Sequence, residues 1–501
     1  MPAMGSFLFD VPEPSDAFFR RSNWQAAYVL GTEGVPSFAQ VSWEDRRLAI
    51  RQPSERSGKL VIACQLEGMG GRTLTTCSLR QKTTPYLLPL ELARGSCHRA
   101  RAQADTWRRA GLNLGDRFDD LLRQGTAEFI EAVGFVGDPA KASRASLRAV
   151  KTLEEASTEL GQRYASQSIA FRRQREDRLG ILVAAGLLPD PNGLSPDPKA
   201  YLDAFNAAAL RVCWSDSESD SGRFDFAPLR DLAGWCREQG VRVIGGPLLD
   251  WRDRLLPDWL TLLEDDFESL SEAISQFVER TVLELRGSVH LWNCAAGLNT
   301  PGPLNLDDEQ RIRLGLVALQ AVRRCDPNTP AIVTFDQPFG EYLSSQREGI
   351  SPLHFADVMA RSGLGLAGLG LEFRFGYPRG ATLPRSAVDL GELIDRWSAL
   401  GMPLLVQLGV PGGEGVDPQA LLTGYPPLAS AGDLSPADEQ RRIAQPLLQT
   451  LLAKHAVHAI VWDEWSDARR HLLPHAGLIA ADGTRRPLWD DFRKTRAEIL
   501  R

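Results

Sequence analysis

The stretch GLGLEF at residues 368–373 and the stretch PLLVQL at residues 403–408 decide the fold. Each is a short, almost wholly apolar run that begins with glycine or proline, which favours a strand buried on both faces. Between them lies an amphipathic segment long enough to form a helix. A strand, a helix and a second strand in this order predict a unit whose two strands run parallel.

The same alternation of apolar strand and amphipathic helix runs from residue 178 to residue 501. The strand candidates are residues 180–185, 208–214, 241–246, 288–294, 331–336, 368–373, 403–408 and 458–463. Eight such units in a segment of this length are typical of a closed (β/α)8 TIM barrel rather than an open doubly wound sheet. Functional side chains are then expected at the C-terminal ends of the strands.

Residues 1–177 have a different character. Short runs rich in Val, Ile, Leu and Thr predict strands at residues 26–30, 38–43, 60–66 and 73–79. Helical segments follow at residues 92–110 and 117–134, and a long third helix opens at Asp138-Pro139, a good cap and first-turn pair. We predict a small β-plus-helical N-terminal domain, residues 1–177, before a barrel domain of residues 178–501. The strands are few for a complete carbohydrate-binding sandwich. The helices that follow them are expected to pack on the barrel.

Charge and composition exclude several classes of partner. The 501 residues include 57 Lys and Arg against 64 Asp and Glu, a net charge of -7, so no basic surface for nucleic acid or an anionic membrane is indicated. The first residues lack the basic start and apolar run of a signal peptide, and no apolar stretch reaches the roughly 18 residues of a membrane span. A cytoplasmic location is the expectation.

Neither a metal site nor a cofactor is predicted. The seven cysteines are scattered and form no C-x-x-C pair, which is typical of small buried apolar residues. His455 is expected at a helix end and His458 at the start of a strand, so their side chains should diverge, and His471 and His475 complete no ligand set. No glycine-rich phosphate loop stands at a strand-to-helix junction.

Several stretches of the barrel segment carry a family resemblance. They are Phe205-Asn206, Cys213-Trp214, Gly222-Arg223-Phe224-Asp225-Phe226, Gly240-Val241-Arg242-Val243, Leu248-Leu249-Asp250-Trp251, Pro257-Asp258-Trp259-Leu260, Arg286-Gly287-Ser288-Val289-His290-Leu291-Trp292, Asp336, and Gly477-Leu478 with Arg486-Pro487. In this order and at this spacing they resemble the motifs of glycoside hydrolase family 10, the endo-1,4-β-xylanases. The resemblance implies a TIM barrel and a β-1,4-linked polysaccharide or oligosaccharide, such as xylan, as the ligand.

The departures from this family fall on its chemistry. Aligning Trp292 with the tryptophan of the fourth-strand motif W-D-V-V-N-E puts Gly297 where the family has its acid/base glutamate. Residues 403–409 resemble P-I-x-I-T-E-L-D, so Gln407 replaces the nucleophilic glutamate. The family's third-strand His, second-strand Lys and sixth-strand Gln and His correspond to Gly246, Cys213, Glu372 and Arg374.

These replacements matter because a retaining glycosidase needs two carboxyl groups about 5 to 5.5 Å apart, one to attack the sugar and one to protonate the leaving oxygen. Glycine can do neither. Glutamine is nearly isosteric with glutamate but has no anionic oxygen to form a glycosyl ester. The family's usual chemistry is therefore not expected at Gly297 and Gln407.

Carboxylates still end several of the predicted strands, and Glu372, Glu464 and Asp463 are our catalytic candidates. Glu372 lies in an otherwise apolar strand, and a buried glutamate is rare without a partner or a role. Desolvation would raise its pKa, as a proton donor near neutral pH requires. Arg374 lies two residues on and on the same side of the strand, so it could instead hold Glu372 in an ion pair.

Other residues near the strand ends are candidates for substrate binding. Tryptophan rings can stack on sugar faces while polar side chains bond to hydroxyls. The candidates are Trp214, Trp251, Trp465, Asp250, Asp336, Arg374 and Gln407. The alternative for the acids is a solvated loop position or an ion pair with Arg252, Arg374 or Arg469, and for the tryptophans a place in the core.

Two functions stay open at this point. The first is a carbohydrate-active barrel, of the O-glycosyl hydrolase class by resemblance, that is catalytically degenerate or uses relocated carboxylates. The second is a non-enzymatic intracellular protein that binds carbohydrate or serves a structural role on a retained hydrolase scaffold. The fold alone does not decide between them, because function lies in the site.

Overall fold

The described part of the N-terminal region contains two small sheets and three long helices. A computed structural model describes residues 5–13, 15, 19, 24–190, 195–377, 383–425, 427 and 434–500. Its first strands are β1 (Gly5–Asp10), β2 (Tyr28–Leu30), β3 (Pro36–Ser37), β4 (Gln40–Glu44), β5 (Arg47–Gln52), β6 (Lys59–Leu66), β7 (Gly70–Thr75) and β8 (Tyr86–Leu87). The helices that follow are α1 (Leu88–Arg109), α2 (Asp116–Gly134) and α3 (Pro139–Arg173). Asp138 caps α3 as predicted, since its side chain accepts a hydrogen bond from the Lys141 backbone N–H.

The two sheets have four strands each, in the orders β4-β5-β1-β8 and β3-β2-β6-β7. Apolar side chains of both sheets, such as Phe9, Ile50 and Ile62, share one core with Leu92 of α1 and Leu153 of α3. The four predicted strand segments correspond to β2, β4, β6 and β7, with ends shifted by a few residues. The strands β1 and β5 were not predicted.

The C-terminal region is a closed barrel of eight parallel strands. They are β9 (Leu182–Leu187), β10 (Ala207–Leu210), β11 (Arg242–Gly245), β13 (Leu291–Ala296), β14 (Ala331–Asp336), β15 (Gly368–Arg374), β16 (Leu404–Gly409) and β17 (Val457–Trp462). Pairing of β11 with β13 closes the barrel, and the short β12 (Leu249–Asp250) extends beside β13. A small pair, β18 (Glu464–Ser466) and β19 (Gly477–Ile479), follows the last barrel strand. The predicted (β/α)8 fold is confirmed, with one strand at each predicted segment.

Helices follow the barrel strands in turn. They are α4 (Pro198–Ala204), α5 (Trp214–Ser217), α6 (Ala227–Glu238), α7 (Phe267–Leu285), α8 (Asp308–Cys325), α9 (Pro352–Ala360), α10 (Ala387–Ser398), α11 (Pro436–Ala453) and α12 (Pro487–Glu498). The barrel interior is filled by small and branched side chains, among them Ala184, Ala209 and Leu405. Because side chains alternate along a strand, Gln407 points into the barrel like Leu405.

The N-terminal region packs directly on the barrel. The guanidinium group of Arg172 in α3 donates to the carbonyl oxygens of Leu452 and Lys454 at 2.8 and 3.0 Å. Arg385, which precedes α10, donates to the hydroxyl of Tyr28 at 2.6 Å. The predicted boundary at residue 177 falls between the end of α3 and the start of β9, and its role as a domain boundary stays a prediction.

Among the described residues, none of the helices has the length and apolar character needed to cross a lipid bilayer.

Candidate functional site

Three polar side chains form one row at the C-terminal ends of neighbouring barrel strands. Asp336 on β14 pairs in register with Glu372 on β15, and Glu372 pairs with Gln407 on β16. Equivalent positions on paired parallel strands project on the same side of the sheet, so all three enter the barrel interior. The strand ends therefore gather predicted candidates, as expected for this fold.

Glu372 is the centre of this row. Its side chain is buried, with 1% of its surface exposed. Its Oε1 accepts from Gln407 Nε2 at 2.7 Å and from Arg252 Nη1 at 3.1 Å, and it is in ion-pair contact with Arg374. The predicted alternative of an ion pair with Arg374 is thus the arrangement found, with Arg252 as a second guanidinium.

Asp463 is linked to Glu372 through the same glutamine. Gln407 Nε2 also donates to Asp463 Oδ1 at 2.5 Å, so two carboxylates converge on one amide nitrogen. Arg211 binds Asp463 from the other side. Its guanidinium donates to the backbone oxygen of Asp463 at 2.9 Å and contacts the Asp463 carboxylate. A side chain at Gly409 would overlap the Asp463 carboxylate, since a Cβ there would lie 2.3 Å from Oδ2. Glycine at this position makes the close approach possible.

Asp250 and Asp336 complete the cluster. Arg252 binds the carboxylate of Asp250 through two nitrogens and reaches across to Glu372. Asp336 is fixed through its backbone, which exchanges hydrogen bonds with the Asn299 amide at 2.8 and 2.9 Å. The fully buried Arg374 lies between the acids, with Nη1 3.7 Å from Asp336 and Nε 3.9 Å from Asp463.

Among the residues that the structure describes, acidic groups outnumber basic groups in this cluster. Five buried carboxyl groups surround three buried guanidinium groups: Asp250, Asp336, Glu372, Asp463 and Glu464 surround Arg211, Arg252 and Arg374. Burial raises the pKa of Asp336 to about 7, with the neighbouring acids adding to the rise and Arg252 opposing it. Burial also raises the pKa of Glu372 well above its ordinary value, against the opposing effect of Arg252. A buried excess of negative charge is relieved by holding protons, which is the direction of both pKa shifts.

Glu464 has a different environment from Asp463. Its Oε1 accepts from the backbone N–H groups of Leu472 and Leu473 at 3.1 and 3.2 Å. Burial raises its pKa to about 7, with Arg211 and His471 opposing. Of the two acids predicted as partners of Glu372, Asp463 shares Gln407 with it, whereas the hydrogen bonds of Glu464 tie it to the loop after β18.

The end of strand β13 supplies no carboxyl group. Gly297 follows Ala296 there, with a positive φ of 77°, and its nearest surroundings are the side chain of Arg252 and Trp251. The fourth barrel strand, β13, is thus followed by Gly297, which has no side chain. Near the end of the seventh barrel strand, β16, the inward side chain is the neutral Gln407.

The three tryptophans predicted to stack on sugars are packed in the core. Trp214 stacks on Phe277 at 4.4 Å, and Trp465 lies edge-on to Tyr201 at 5.1 Å. Trp251 is equally buried. Each ring therefore has a packing function in this conformation, and its contact with a ligand stays a prediction.

A segment after β16 covers this end of the barrel. Leu422 packs with Cys213, Leu255 and Leu472, and Tyr425 lies over the Arg374 guanidinium at 5.8 Å from its ring centre. The covering segment, residues 410–425, is joined to the loop after β18 by backbone hydrogen bonds, such as Leu422 N–H to the oxygen of Leu472 at 2.9 Å. The polar cluster is consequently shielded from solvent.

A buried group of possible metal ligands lies under the covering segment, where the sequence predicted none. Asp417, Asp467 and His471 each offer an atom within 4.8 Å of the others. Arg486 already forms an ion pair of 2.6 Å with Asp467, and His471 Nε2 lies 3.0 Å from Asp417. Burial lowers the pKa of His471, but the hydrogen bond to Asp417 and the nearby charges of Glu464 and Asp467 together outweigh it and raise the pKa to about 9, so the imidazolium itself neutralises these acids.

Sequence reasoning missed the central roles of Arg211 and Arg252. Arg252 was considered only as a partner for loop acids, yet it bridges Asp250 and Glu372. Arg211 directly follows the alanine-rich strand β10. A charged residue inside the apolar run of residues 207–214 was the feature of the sequence that could have indicated its role. A buried arginine needs an acidic partner, which for Arg211 is Asp463.

The fold and the cluster define a closed (β/α)8 barrel with an ion-paired polar centre at its strand ends. No family model matches the chain. Similar solved structures include xylanase 10B of Thermotoga maritima, 15% identical over 65% of this chain and 97% of that one, with a TM-score of 0.49. Xylanase 10B of Thermotoga petrophila, solved in complex with xylobiose, is 15% identical over 67% and 96%, with a TM-score of 0.46. An intracellular xylanase of Thermoanaerobacterium saccharolyticum, a mutant in complex with xylotetraose, is 14% identical over 63% and 96%, with a TM-score of 0.46. These proteins are xylanases, and the likeness is one of fold.

Proposed function

We propose that this protein is a carbohydrate-binding barrel that does not use the two-glutamate chemistry of the xylanases. The ligand class proposed is a β-1,4-linked xylo-oligosaccharide or a related glycan, which the co-linear motifs of the barrel imply. Arginines and carboxylates held in fixed positions are the groups that bond to sugar hydroxyls in such sites. The cytoplasmic location stays a prediction, which fractionation of the source cells would check.

One observation carries the proposal. Gln407 occupies the inward position near the end of strand β16 and donates to both Glu372 and Asp463. A nucleophile at this position needs an anionic oxygen, and an amide has none. At the end of β13, Gly297 stands at the position that corresponds to the acid/base glutamate of the resembling family, and glycine has no proton to donate. Hydrolysis by the usual retaining route would need both groups.

Ligand entry requires movement of the cover. The side chains of the polar cluster are buried beneath Leu422 and Tyr425, and these belong to a segment outside the regular helices and strands. Covering loops of this kind open and close over ligands in many enzymes and binding proteins. A glycan that bonds to Arg374 and Asp336 would take the place of Tyr425.

Calorimetric titration with xylohexaose, together with reducing-sugar release from xylan, tests the proposal. Binding without turnover is the expected result. The variant Glu372→Gln should weaken binding, because it removes an acceptor at the centre of the cluster. Glu341→Gln is the matched control, since Glu341 is also buried beside an arginine, Arg385, but lies away from the cluster. Equal effects of the two variants, or no heat with xylohexaose, would favour a purely structural barrel.

Relocated catalysis is a second candidate, and a specific observation favours it. Glu372 Oε1 and Asp463 Oδ1 each accept a hydrogen bond from Gln407 Nε2, at 2.7 and 2.5 Å. The distance between these two oxygens therefore cannot exceed the sum of the two hydrogen-bond lengths. That upper limit matches the spacing of about 5 to 5.5 Å in retaining glycosidases. The raised pKa of Glu372 suits a proton donor. Turnover of xylan that disappears in both Glu372→Gln and Asp463→Asn, with binding retained, would establish this alternative.

A further inference from the structure

A large groove lies at the opposite end of the barrel from the polar cluster. It has a volume of about 860 Å³ and runs between the end of α1, one face of α3 and the turn before β17. Lys454 and His455 line it and directly precede β17, which places the groove at the N-terminal ends of the barrel strands. A volume of this order accommodates a ligand of several rings.

Aromatic rings form the wall of this groove. Trp107 of α1 and Tyr164 of α3 stack at 4.5 Å with an angle of 16° between their planes. Lys454 Nζ lies 4.7 Å from the Tyr164 ring centre and is fixed by an ion pair of 2.6 Å with Asp395. The stack is thus held from within the protein, and Trp107, which also packs partly against the apolar cluster around Leu160, contributes the rest of its surface to the lining of the groove.

Phe171 extends the wall along the same helix. It follows Tyr164 by seven residues, which puts both on one face of α3, about 10 Å apart along its axis. Phe171 is 51% exposed, and the Arg175 guanidinium lies 5.1 Å from its ring centre. Two ring positions in line suit a ligand made of successive rings.

The rim of the groove is polar, and the Arg175 guanidinium adds a positive charge beside Phe171. Gln174, Ser398 and His455 contribute amide, hydroxyl and imidazole groups, and the charges of Lys454 and Asp395 cancel in their ion pair. Burial lowers the pKa of His455, with Arg172 and Arg175 adding to the effect, so its imidazole is neutral at neutral pH. Neutral donors and acceptors around flat apolar rings match the hydroxyls and C–H faces of a pyranose.

We propose that this groove is a second carbohydrate-binding site, which takes a neutral chain of linked pyranose rings. An apolar peptide fits less well, because the aromatic strip is narrow and polar groups border it on both sides. The β-1,4 linkage assigned to the ligand rests on the function proposed above, whereas the site itself rests on the groove. Binding here would hold a polysaccharide against the base of the barrel while the other end stays accessible.

The indole N–H resonance of Trp107 reports directly on this site. The full-length protein is labelled with ¹⁵N-tryptophan, and the Trp107 signal is assigned from its absence in Trp107→Phe. Titration with xylohexaose, and separately with cellohexaose, is expected to shift this signal. Calorimetry should show binding weakened roughly three- to tenfold by Trp107→Ala, which is the loss of one stacking contact. Phe171→Ala should weaken binding to a lesser degree, and its partial exposure makes it a mild change to the fold.

The controls separate this site from the polar cluster. Glu372→Gln should leave the shift of the Trp107 signal unchanged. A Trp107 signal that moves with neither hexasaccharide overturns the inference, even where calorimetry detects binding that depends on Glu372. The Trp107 signal could also shift, with a shift that Phe171→Ala reduces, while no ligand binds at the polar cluster. This result supports the groove and counts against the function proposed for that cluster. The melting temperatures of the Trp107 and Phe171 variants should lie within a few degrees of the wild type. The loss of binding is then not caused by a loss of folding.

Discussion

At the scale of single residues, Arg374 is the side chain on which the polar cluster depends most. It is fully buried and lies among Glu372, Asp336 and Asp463. We expect Arg374→Leu to lower the free energy of unfolding by about 3 to 5 kcal/mol, because it leaves buried acids without their cation. Urea denaturation measures the change.

The matched control for Arg374→Leu is Arg361→Leu. Arg361 is exposed and pairs with Asp357 on the surface of α9. Solvent screens such a pair, so its removal should change stability little. A loss of stability for Arg374→Leu no larger than that of the control would show that the cluster is not held by its charges.

Asp336 makes the cluster sensitive to pH. Its pKa of about 7 in the folded chain lies above the value of about 4 expected when unfolded. Between these values the folded protein holds a proton that the unfolded chain has lost, so the free energy of unfolding falls as pH rises from about 4 to about 7. We expect Asp336→Asn to flatten this dependence by a few kcal/mol at most. Denaturation curves measured across that pH range check this expectation. The same pH dependence of the free energy of unfolding in the wild type and the variant would contradict it.

Predictability from sequence differed between the residues of the cluster. The two-residue period of a strand placed Glu372 and Arg374 on the same side of β15. The register that brings Gln407 beside Glu372 comes from the pairing of β15 with β16, which the sequence did not show. For the tryptophans the sequence left ligand contact and core packing open, because sequence position near a strand end does not tell which layer a large side chain enters. Trp214 turns outward to stack on Phe277 of α7, a contact that only the packing of α7 determines.

At the scale of elements, the apolar period and the glycine and proline boundaries were enough to locate all eight barrel strands. The largest shift is at β10, which ends at Leu210 where the prediction continued to Trp214. There the short helix α5 begins with Trp214, whose indole N–H donates to Glu218 at 2.8 Å. A hydrogen bond within one helical turn thus accompanies the end of a local run of strand-forming residues. The strand β1 was missed because its partners, β5 and β8, are distant in the sequence. The strand β5 was missed although it forms a hairpin with β4, because charged residues stand at and beside its ends.

The covering segment is held by a charged contact between two loops. His471, after β18, lies 3.0 Å from Asp417 of the covering segment, and its pKa is raised to about 9. The stabilisation from this raised pKa is complete below the unfolded value near 6.5 and is lost as pH rises through 9. We expect His471→Gln to lower stability by up to about 3 kcal/mol at pH 6, and by much less at pH 10.

Thermal unfolding at the two pH values checks this expectation for His471. His98→Gln is the control, because His98 lies exposed on α1 and far along the chain from the covering segment. A deficit for His471→Gln that is the same at pH 6 and pH 10 would mean that the histidine acts by its shape rather than its charge.

At the scale of the whole molecule, the N-terminal region and the barrel are expected to fold as one unit. Arg99 of α1 bridges Glu154 of α3 and Asp389 of α10 at 3.3 and 2.8 Å, which joins the two regions through a buried charge network. Burial raises the pKa of Glu154, and Arg99 opposes that rise. Removal of Arg99 with its region would leave Asp389 without this partner.

The truncated chain of residues 178–501 tests this unity. It lacks α3, whose Arg172 satisfies the carbonyl oxygens of Leu452 and Lys454 at the end of α11. Buried carbonyls that lose their donor and an apolar helix face that meets water both lower stability. We expect the truncated barrel to melt more than about 5 °C below the full chain, which itself should unfold in a single calorimetric transition. Two separate transitions in the full chain, one of them at the melting temperature of the isolated barrel, would show instead that the regions fold independently.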